Sequence, residues 1–203
     1  MSVAVYTAIV GGPYKLEARH DVPCFTDAGL FRHSVLEAKR YKVLGHLFFP
    51  DEFTIWVDGN IKLARDPEAI VSEYLGSADL AVFAHPVHKT VWQEFGCIAT
   101  QPRFKIPYLQ SQLEAQFNAY RAEGLPEDTP CFECNMLIRR RTVGVERLME
   151  AWWAQICRWQ WRDQVSFPYV LWKAGQEVKV NLLGREAGIR EDWQSFVHDE
   201  QHG

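Results

Sequence analysis

An aspartate and an asparagine flank a glycine at the end of the clearest strand in the sequence. Residues 53–57, FTIWV, are apolar and rich in β-branched and aromatic types, and Asp58, Gly59 and Asn60 follow directly. Carboxylate and amide oxygens are ligands that Mg²⁺ and Mn²⁺ prefer, and such a cation can bridge a diphosphate. Asp-Gly and Gly-Asn pairs are also common in tight turns. The tripeptide alone therefore predicts either a cation site or a simple turn.

A second polar group stands where a helix is predicted to begin. Asp163 can cap that helix through its carboxylate, with Gln164 in the first turn. Alternatively, the carboxylate and the amide face a bound substrate from the start of the helix. Arg162 beside them carries a planar guanidinium that matches a phosphate or an acidic sugar group.

Further polar residues interrupt apolar segments or lie near the C-terminus. Glu133 and Asn135 fall within an apolar strand, where glutamate is rare unless it is paired or faces solvent at a sheet edge. Away from such an edge, Glu133 would bind a hydroxyl-rich acceptor or take part in proton transfer. His198 is either a late metal ligand or part of a solvated tail.

Strands that alternate with helices carry these residues. We predict strands at 3–10, 22–25, 53–57, 80–84, 132–139 and 178–182, and helices at 28–40, 66–75, 108–123, 143–158 and 163–173. This alternation predicts an α/β fold with one mostly parallel sheet flanked by helices. Ligands of such sheets bind beyond the carboxyl ends of the strands, where the sequence has Asp27, Asp58 and His85.

Length and charge restrict the class of protein. The chain has 203 residues, 47% of them apolar, which suits one domain with a substantial core. Its net charge of −4 is spread along the sequence, whereas a nucleic-acid partner would require a basic face. We therefore predict no nucleic-acid partner.

Five scattered cysteines, with one CxxC spacing at Cys131 and Cys134, fit free thiols better than a structural zinc site. The N-terminal apolar run has no basic n-region, and no stretch of about 18 apolar residues would span a membrane. We predict a cytoplasmic protein without a membrane span.

Six stretches of the chain resemble the TOD1/MUCI70 glycosyltransferase-like family. They are YTAIVGG at 6–12, FTD at 25–27, KRYKVLGHLFFPDEFTIWVDGNIKL at 39–63, FAHPVHKTVWQE at 83–94, FECNMLIRR at 132–140 and WWAQICRWQWRDQVSFPYVLWK at 152–173. The pair IWVDGNI and RDQVSF is specific. The resemblance implies a single-domain, GT-A-like (Rossmann-like) fold over 1–183, with a tail over 184–203 that closes the site.

The resemblance also implies an activity and a set of site residues. A sugar would pass from a nucleoside-diphosphate-sugar donor to a carbohydrate or glycoconjugate acceptor, with Mn²⁺ or Mg²⁺ at the diphosphate. In that interpretation Asp163, Gln164 and Glu133 are catalytic. The donor is bound by Thr7, Gly11, Asp27, Arg40, Lys42, Asp58 and Asn60, the cation by Asp58, Asn60 and His198, and the acceptor or the sugar by His85, Glu94, Asn135 and Arg162.

Two other interpretations of the same residues remain open. Related GT-A transferases have a second aspartate where this chain has Asn60, and an amide oxygen coordinates a cation more weakly. That difference favours a non-catalytic module that binds a nucleotide-sugar or carbohydrate. A metal-dependent phosphohydrolase would use Asp58 and Asp163, although such sites usually gather more carboxylates and histidines around two ions.

Overall fold

A six-stranded mixed sheet forms the centre of the fold. The computed structural model describes residues 1–11, 22–26, 29–31, 33–184 and 193–195. The strands of the main sheet, in chain order, are β1 (Val3–Ala8), β2 (Cys24–Phe25), β3 (Phe53–Val57), β5 (Leu80–Ala84), β6 (Phe132–Arg140) and β7 (Val180–Leu183). Two shorter strands, β4 (Ile61–Leu63) and β8 (Trp193–Ser195), pair antiparallel in a second sheet.

The strand order of the main sheet is β2-β1-β3-β6-β5-β7. Strand β6 pairs antiparallel with β3 and with β5, while the other three neighbouring pairs are parallel. Five of the six strands therefore run in one direction, which confirms the predicted mostly parallel sheet. The carboxyl ends of β3 and β5 lie at the same edge, where β6 begins.

The strands are apolar along their whole length because buried side chains pack on both faces of this sheet. Tyr6 and Trp56 pack in one buried cluster, and their neighbours Val5 and Ile55 pack in another on the opposite face. Helices described in the structure are α1 (Ser34–Val43), α2 (Pro67–Ile70, continued by a π-helical turn, Val71–Leu75), α3 (Val91–Thr100), α4 (Pro107–Ala122), α5 (Val143–Arg158) and α6 (Asp163–Ala174).

Local signals account for several helix boundaries. The carboxylate of Asp66 accepts a hydrogen bond from the amide of Ala69 at 3.0 Å and so caps the start of α2. Gly124 and Gly175 have positive φ angles of 86° and 58°, and they follow the ends of α4 and α6. Among the described residues no helix combines the length and apolar character needed to cross a bilayer.

The predicted first helix is shifted relative to the observed one. A helix was expected over 28–40, but α1 begins at Ser34 and ends at Val43. Leu30 therefore precedes the helix and is exposed, whereas Tyr41 is buried. Helix α1 also buries Lys42, whose partner lies in α6, so a local apolar pattern could not identify the whole of the buried face.

Helix α3 was not predicted, although the chain carries a signal for it. The Thr90 side chain accepts a hydrogen bond from the main-chain amide of Gln93, and the Gln93 side chain accepts one from the main-chain amide of Thr90. This reciprocal pair is a capping box. The helix carries Glu94, whose carboxylate contacts His88 and Arg162.

Candidate functional site

One buried ammonium group joins the two polar motifs that the sequence singled out. Lys42 Nζ lies 3.1 Å from Asp58 Oδ1 and 2.7 Å from Asp163 Oδ2. Lys39 Nζ, one turn earlier on α1, lies 2.6 Å from the same Asp163 oxygen. Asp58 follows β3, and Asp163 opens α6, so three separate elements supply the cluster.

Burial of the charged groups in this cluster is unfavourable unless each charge is paired with an opposite one. The side chains of Lys42 and Asp163 are 2% and 6% exposed, whereas that of Asp58 is 37% exposed. Burial opposes ionisation of Asp163, but the ammonium groups of Lys39 and Lys42 hold the pKa of its carboxyl well below the ordinary value. Burial likewise opposes the charge of Lys42, yet Asp163 and Asp58 raise the pKa of Lys42. Burial lowers the pKa of Lys39 despite its contact with Asp163.

Asp58 is fixed to the sheet edge but keeps part of its carboxylate accessible. Its Oδ1 accepts hydrogen bonds from Lys42 Nζ and from the indole of Trp56 at 2.8 Å. Its amide donates to the carbonyl of Asn135 on β6 at 2.7 Å. A side chain at Gly59 would place Cβ 2.9 Å from Ile9, so the glycine permits close approach to β1. Asn60 is half-buried in the same turn.

Polar atoms next to Asp58 have capacity for a ligand. Asn135 Nδ2 donates to Glu133 Oε1 at 2.9 Å. Asn135 Oδ1 is buried, and within the described part of the chain it has no hydrogen-bond partner. The same holds for the hydroxyl of Thr7, a fully buried residue of β1. Buried polar groups without a partner are uncommon in folded proteins, so both atoms are candidates for contacts with a ligand or water.

A second cluster is centred on Glu94, whose side chain is 1% exposed. Glu94 Oε1 accepts from Arg162 Nε at 2.9 Å and from Arg162 Nη2 at 2.7 Å, and Oε2 lies 2.6 Å from His88 Nδ1. The rings of His88 and His85 stack with centroids 4.8 Å apart. Because Arg162 immediately precedes Asp163, the chain joins this cluster to the lysine cluster.

Three side chains of the second cluster approach the spacing of a metal site. Ligand atoms of His85, Glu94 and Cys131 lie within 4.8 Å of one another. His85 Nδ1, however, accepts hydrogen bonds from the amides of Val87 and His88 at 3.2 and 2.9 Å, so in the neutral ring Nε2 carries the proton.

The other two groups are also engaged or neutral in this arrangement. Both carboxylate oxygens of Glu94 already accept hydrogen bonds. Burial, together with Glu94, raises the pKa of the Cys131 thiol to about 12, so the thiol is neutral in this arrangement. The contacts of His85 and Glu94 therefore form a hydrogen-bonded network.

The structure brings most predicted site residues to one sheet edge, with exceptions. Arg40 lies 5.0 Å from the ring centre of Phe48, while Lys39 takes the place beside Asp163. Gly11 has a φ of 65° and lies against Ser34 at the start of α1. The side chain of Gln164 is half-buried next to Asp163. Asp27 and His198 lie outside the described residues.

Sequence reasoning missed Lys39, His88 and the indole of Trp56. Lys39 and Lys42 are three residues apart and therefore share a face of any helix that spans them, which was the available signal. No comparable signal exists for His88. Its contact with Glu94 depends on the path of the chain between β5 and α3, which the sequence does not reveal.

Two solved structures show a partial similarity to this chain at low sequence identity. A glycosyltransferase involved in glycosylation of the major capsid of PBCV-1 is 8% identical, covers 90% of this chain and 82% of its own, and has a TM-score of 0.49. Mouse xyloside xylosyltransferase 1 is 14% identical, covers 79% of this chain and 63% of its own, and has a TM-score of 0.43.

Two Arabidopsis thaliana proteins are similar in sequence. Alkaline ceramidase TOD1 is 23% identical over 178 residues, which are 84% of this chain and 38% of TOD1. Probable hexosyltransferase MUCI70 is 27% identical over 143 residues, which are 64% of this chain and 23% of MUCI70. The chain thus spans well under half the length of either relative. The TOD1/MUCI70, glycosyltransferase-like domain matches residues 27–200. This chain therefore belongs to the TOD1/MUCI70 glycosyltransferase-like family.

Proposed function

We propose that this domain transfers a sugar from a nucleoside-diphosphate-sugar to a carbohydrate or glycoconjugate acceptor. The observation that carries the proposal is the bridge that Lys42 forms between Asp58 and Asp163 at the carboxyl edge of β3. Ligands of α/β sheets bind at this edge. The bridge holds two carboxylates and two ammonium groups in place before a substrate arrives, which is the preorganisation that favours catalysis of charge separation.

Asp58 and Asn60 are suited to hold Mn²⁺ or Mg²⁺ in this proposal. Asp58 Oδ1 is occupied by Lys42 and Trp56, but a carboxylate has about four lone-pair sites, and its second oxygen leaves room for a cation. Asn60 adds an amide oxygen of the kind these cations accept. When bound, the cation would stabilise the negative charge that develops on the departing diphosphate.

The donor would extend over β1 and α1 from this point. Thr7 and Gly11 lie on the β1 side, at and just after the carboxyl end of that strand. Lys39, Lys42 and, through a change of rotamer, Arg40 would offset the charge of the diphosphate. Asp163 and Gln164 would face the transferred sugar.

The acceptor would occupy the other side of the edge. Glu133 and Asn135 border Asp58, and His85, Glu94 and Arg162 continue from the end of β5. The C-terminal tail reaches the same region, because Ser195 of β8 pairs with Ile61 directly after the Asp58 turn. That pairing supports a role of residues 193–195 in closing the site, while the metal-binding role expected for His198 stays a prediction outside the described residues.

A binding module without turnover is the alternative that one observation favours. Lys42 already neutralises part of the Asp58 charge, and Asn60 adds none, so the cation site is less anionic than a pair of aspartates would be. Because one relative is named a ceramidase, hydrolysis of a ceramide amide belongs in the same assay series.

The proposal is tested by thermal shift and by turnover with a panel of nucleoside-diphosphate-sugars, with and without Mn²⁺. A donor at about 100 times its dissociation constant should stabilise the fold by roughly 2.7 kcal/mol. Asp58→Asn keeps an oxygen for Lys42 and Trp56 but removes the charge, so we expect the metal-dependent shift to disappear. Asp128→Asn, at an exposed position, is the matched control.

Release of the nucleoside diphosphate separates the candidate functions. Its release together with a glycosylated product identifies a transferase, and binding without release identifies a binding module. A well-folded protein that shows no shift with any donor would contradict the donor site altogether. Release of sphingosine from ceramide, without any nucleotide effect, would replace the proposal with hydrolysis.

A further inference from the structure

The Glu94 cluster leaves one nitrogen ready to accept a proton. Glu94 also receives two hydrogen bonds from Arg162 and, as a carboxylate, has no proton to donate, so His88 Nδ1 is the donor in the 2.6 Å contact. In the neutral imidazole Nε2 is then an acceptor. Within the described part of the chain, His88 Nε2 has no hydrogen-bond partner.

His88 is better placed for proton transfer than Glu94 or Asp163. Its side chain is 18% exposed, whereas Glu94 is 1% exposed and both its oxygens are engaged. Asp163 is buried beneath Lys39 and Lys42, which hold its pKa well below the ordinary value. Both carboxylates are therefore committed to partners inside the protein, whereas the His88 ring is partly exposed.

We propose that His88 accepts the proton of the hydroxyl that receives the sugar, with Glu94 and Arg162 as positioning residues. This inference rests on the function proposed above and assigns the acceptor side of the site. The expected ligand is the hydroxyl group of a carbohydrate or glycoconjugate. The cluster stands after β5, at the same sheet edge as Asp58, and Arg162 joins it to Asp163 along the chain.

The step balances without any further reactant. The acceptor oxygen forms a bond to the anomeric carbon, and the bond from that carbon to the diphosphate breaks with its electron pair on the diphosphate oxygen. The hydroxyl proton moves to His88 Nε2. The imidazolium is then stabilised by Glu94, and the proton leaves to solvent from the partly exposed ring.

The charges around His88 support this cycle. Glu94 accepts a hydrogen bond from His88 Nδ1, and Arg162 holds Glu94 in place through two further hydrogen bonds. His85, stacked on His88, points its protonated Nε2 toward Glu94 at 3.9 Å, and the Cys131 thiol nearby stays neutral because burial raises its pKa to about 12. Together these groups hold the ring in one tautomer.

The experiment compares His88→Asn, His88→Ala and the neighbouring control Lys89→Ala, whose side chain is exposed. Asn retains an amide that can donate to Glu94 but lacks a nitrogen at the Nε2 position. Release of nucleoside diphosphate is measured with the nucleoside-diphosphate-sugar that gives the largest thermal shift in the panel, and 4-nitrophenyl glycosides serve as acceptor probes. The donor-induced thermal shift is measured in parallel, and imidazole is added to His88→Ala.

We expect His88→Asn to lower the rate at saturating donor by about 10²–10⁴-fold while its donor-induced shift matches wild type. Imidazole should restore part of the activity of His88→Ala, and Lys89→Ala should match wild type. A rate for His88→Asn within about threefold of wild type, or a loss that imidazole does not restore, would overturn the assignment. Wild-type protein that binds no donor would instead refute the proposed function itself.

Discussion

The guanidinium of Arg139 donates a hydrogen bond to the main-chain carbonyl of Lys42 at 2.9 Å. The same nitrogen lies 3.2 Å from the carbonyl of Val43, and a second nitrogen of the guanidinium donates to the hydroxyl of Tyr6. Arg139 is a buried residue of β6, so the sheet caps the carbonyl end of α1 with a positive charge. The main chain of Lys42 is therefore held by Arg139 of the sheet as well as by the hydrogen bonds of α1.

This arrangement predicts that Gly45→Ala is strongly unfavourable. A Cβ at Gly45 would lie 1.9 Å from the hydroxyl oxygen of Tyr6 and 3.0 Å from a terminal nitrogen of Arg139. Such overpacking should lower the free energy of unfolding by about 1–3 kcal/mol in urea denaturation. Gly96→Ala is the control, because the new Cβ meets nothing within 4 Å and alanine favours the helix. Equal stability of the two variants would contradict the packing described here.

Removal of the buried carboxylate should have a far larger effect than removal of an exposed ion pair. Asp163→Asn leaves Lys39 and Lys42 without a full counter-charge, and we expect a loss of about 3–5 kcal/mol in the free energy of unfolding. Lys173→Ala breaks the exposed pair with Glu123 and should cost about 0–1 kcal/mol. Chemical denaturation of both variants checks the difference, and similar losses would argue that the Asp163 cluster is solvated.

The contribution of Asp163 should also depend on pH. Because its pKa is depressed in the folded state, the unfolded chain binds more protons as pH falls through the ordinary aspartate value of about 3.9. The stabilising effect is thus fully present above that value and is lost as pH decreases toward the folded pKa. Urea denaturation from pH 7 to pH 3 should show the gap between wild type and Asp163→Asn narrowing only below about pH 4–5. A gap that narrows between pH 7 and pH 5 would point to a different group.

Thiol labelling tests the burial of the cysteines. Cys157 is exposed, whereas Cys131 and Cys134 are buried, and burial raises the pKa of both buried thiols. A thiol reagent should therefore modify Cys157 first in the native protein. Cys131 and Cys134 should react only on unfolding. Mass spectrometry of partially labelled protein identifies the order, and early modification of Cys134 would contradict the packing of β6.

Much of the fold could be predicted because its signals are local. Continuous apolar runs identified β3 and β5, and the predicted bounds of both agree with the structure. Helix α5 was likewise predicted correctly. The reversed direction of β6 could not be predicted, because parallel and antiparallel neighbours satisfy the same apolar pattern. Only its partners on both sides establish that direction.

The alternation of strands and helices, and the positions of Asp58 and Asp163 at element ends, follow from the amino-acid sequence alone. Those features depend on residue type and short-range spacing. The burial of Lys42 between the two aspartates and the contact between His88 and Glu94 become visible only in the assembled fold. A local pattern assigns charged side chains to solvent, because burial of a lone charge is costly. That cost is offset here by partners distant in the chain, and such partners meet only when the sheet and helices have assembled.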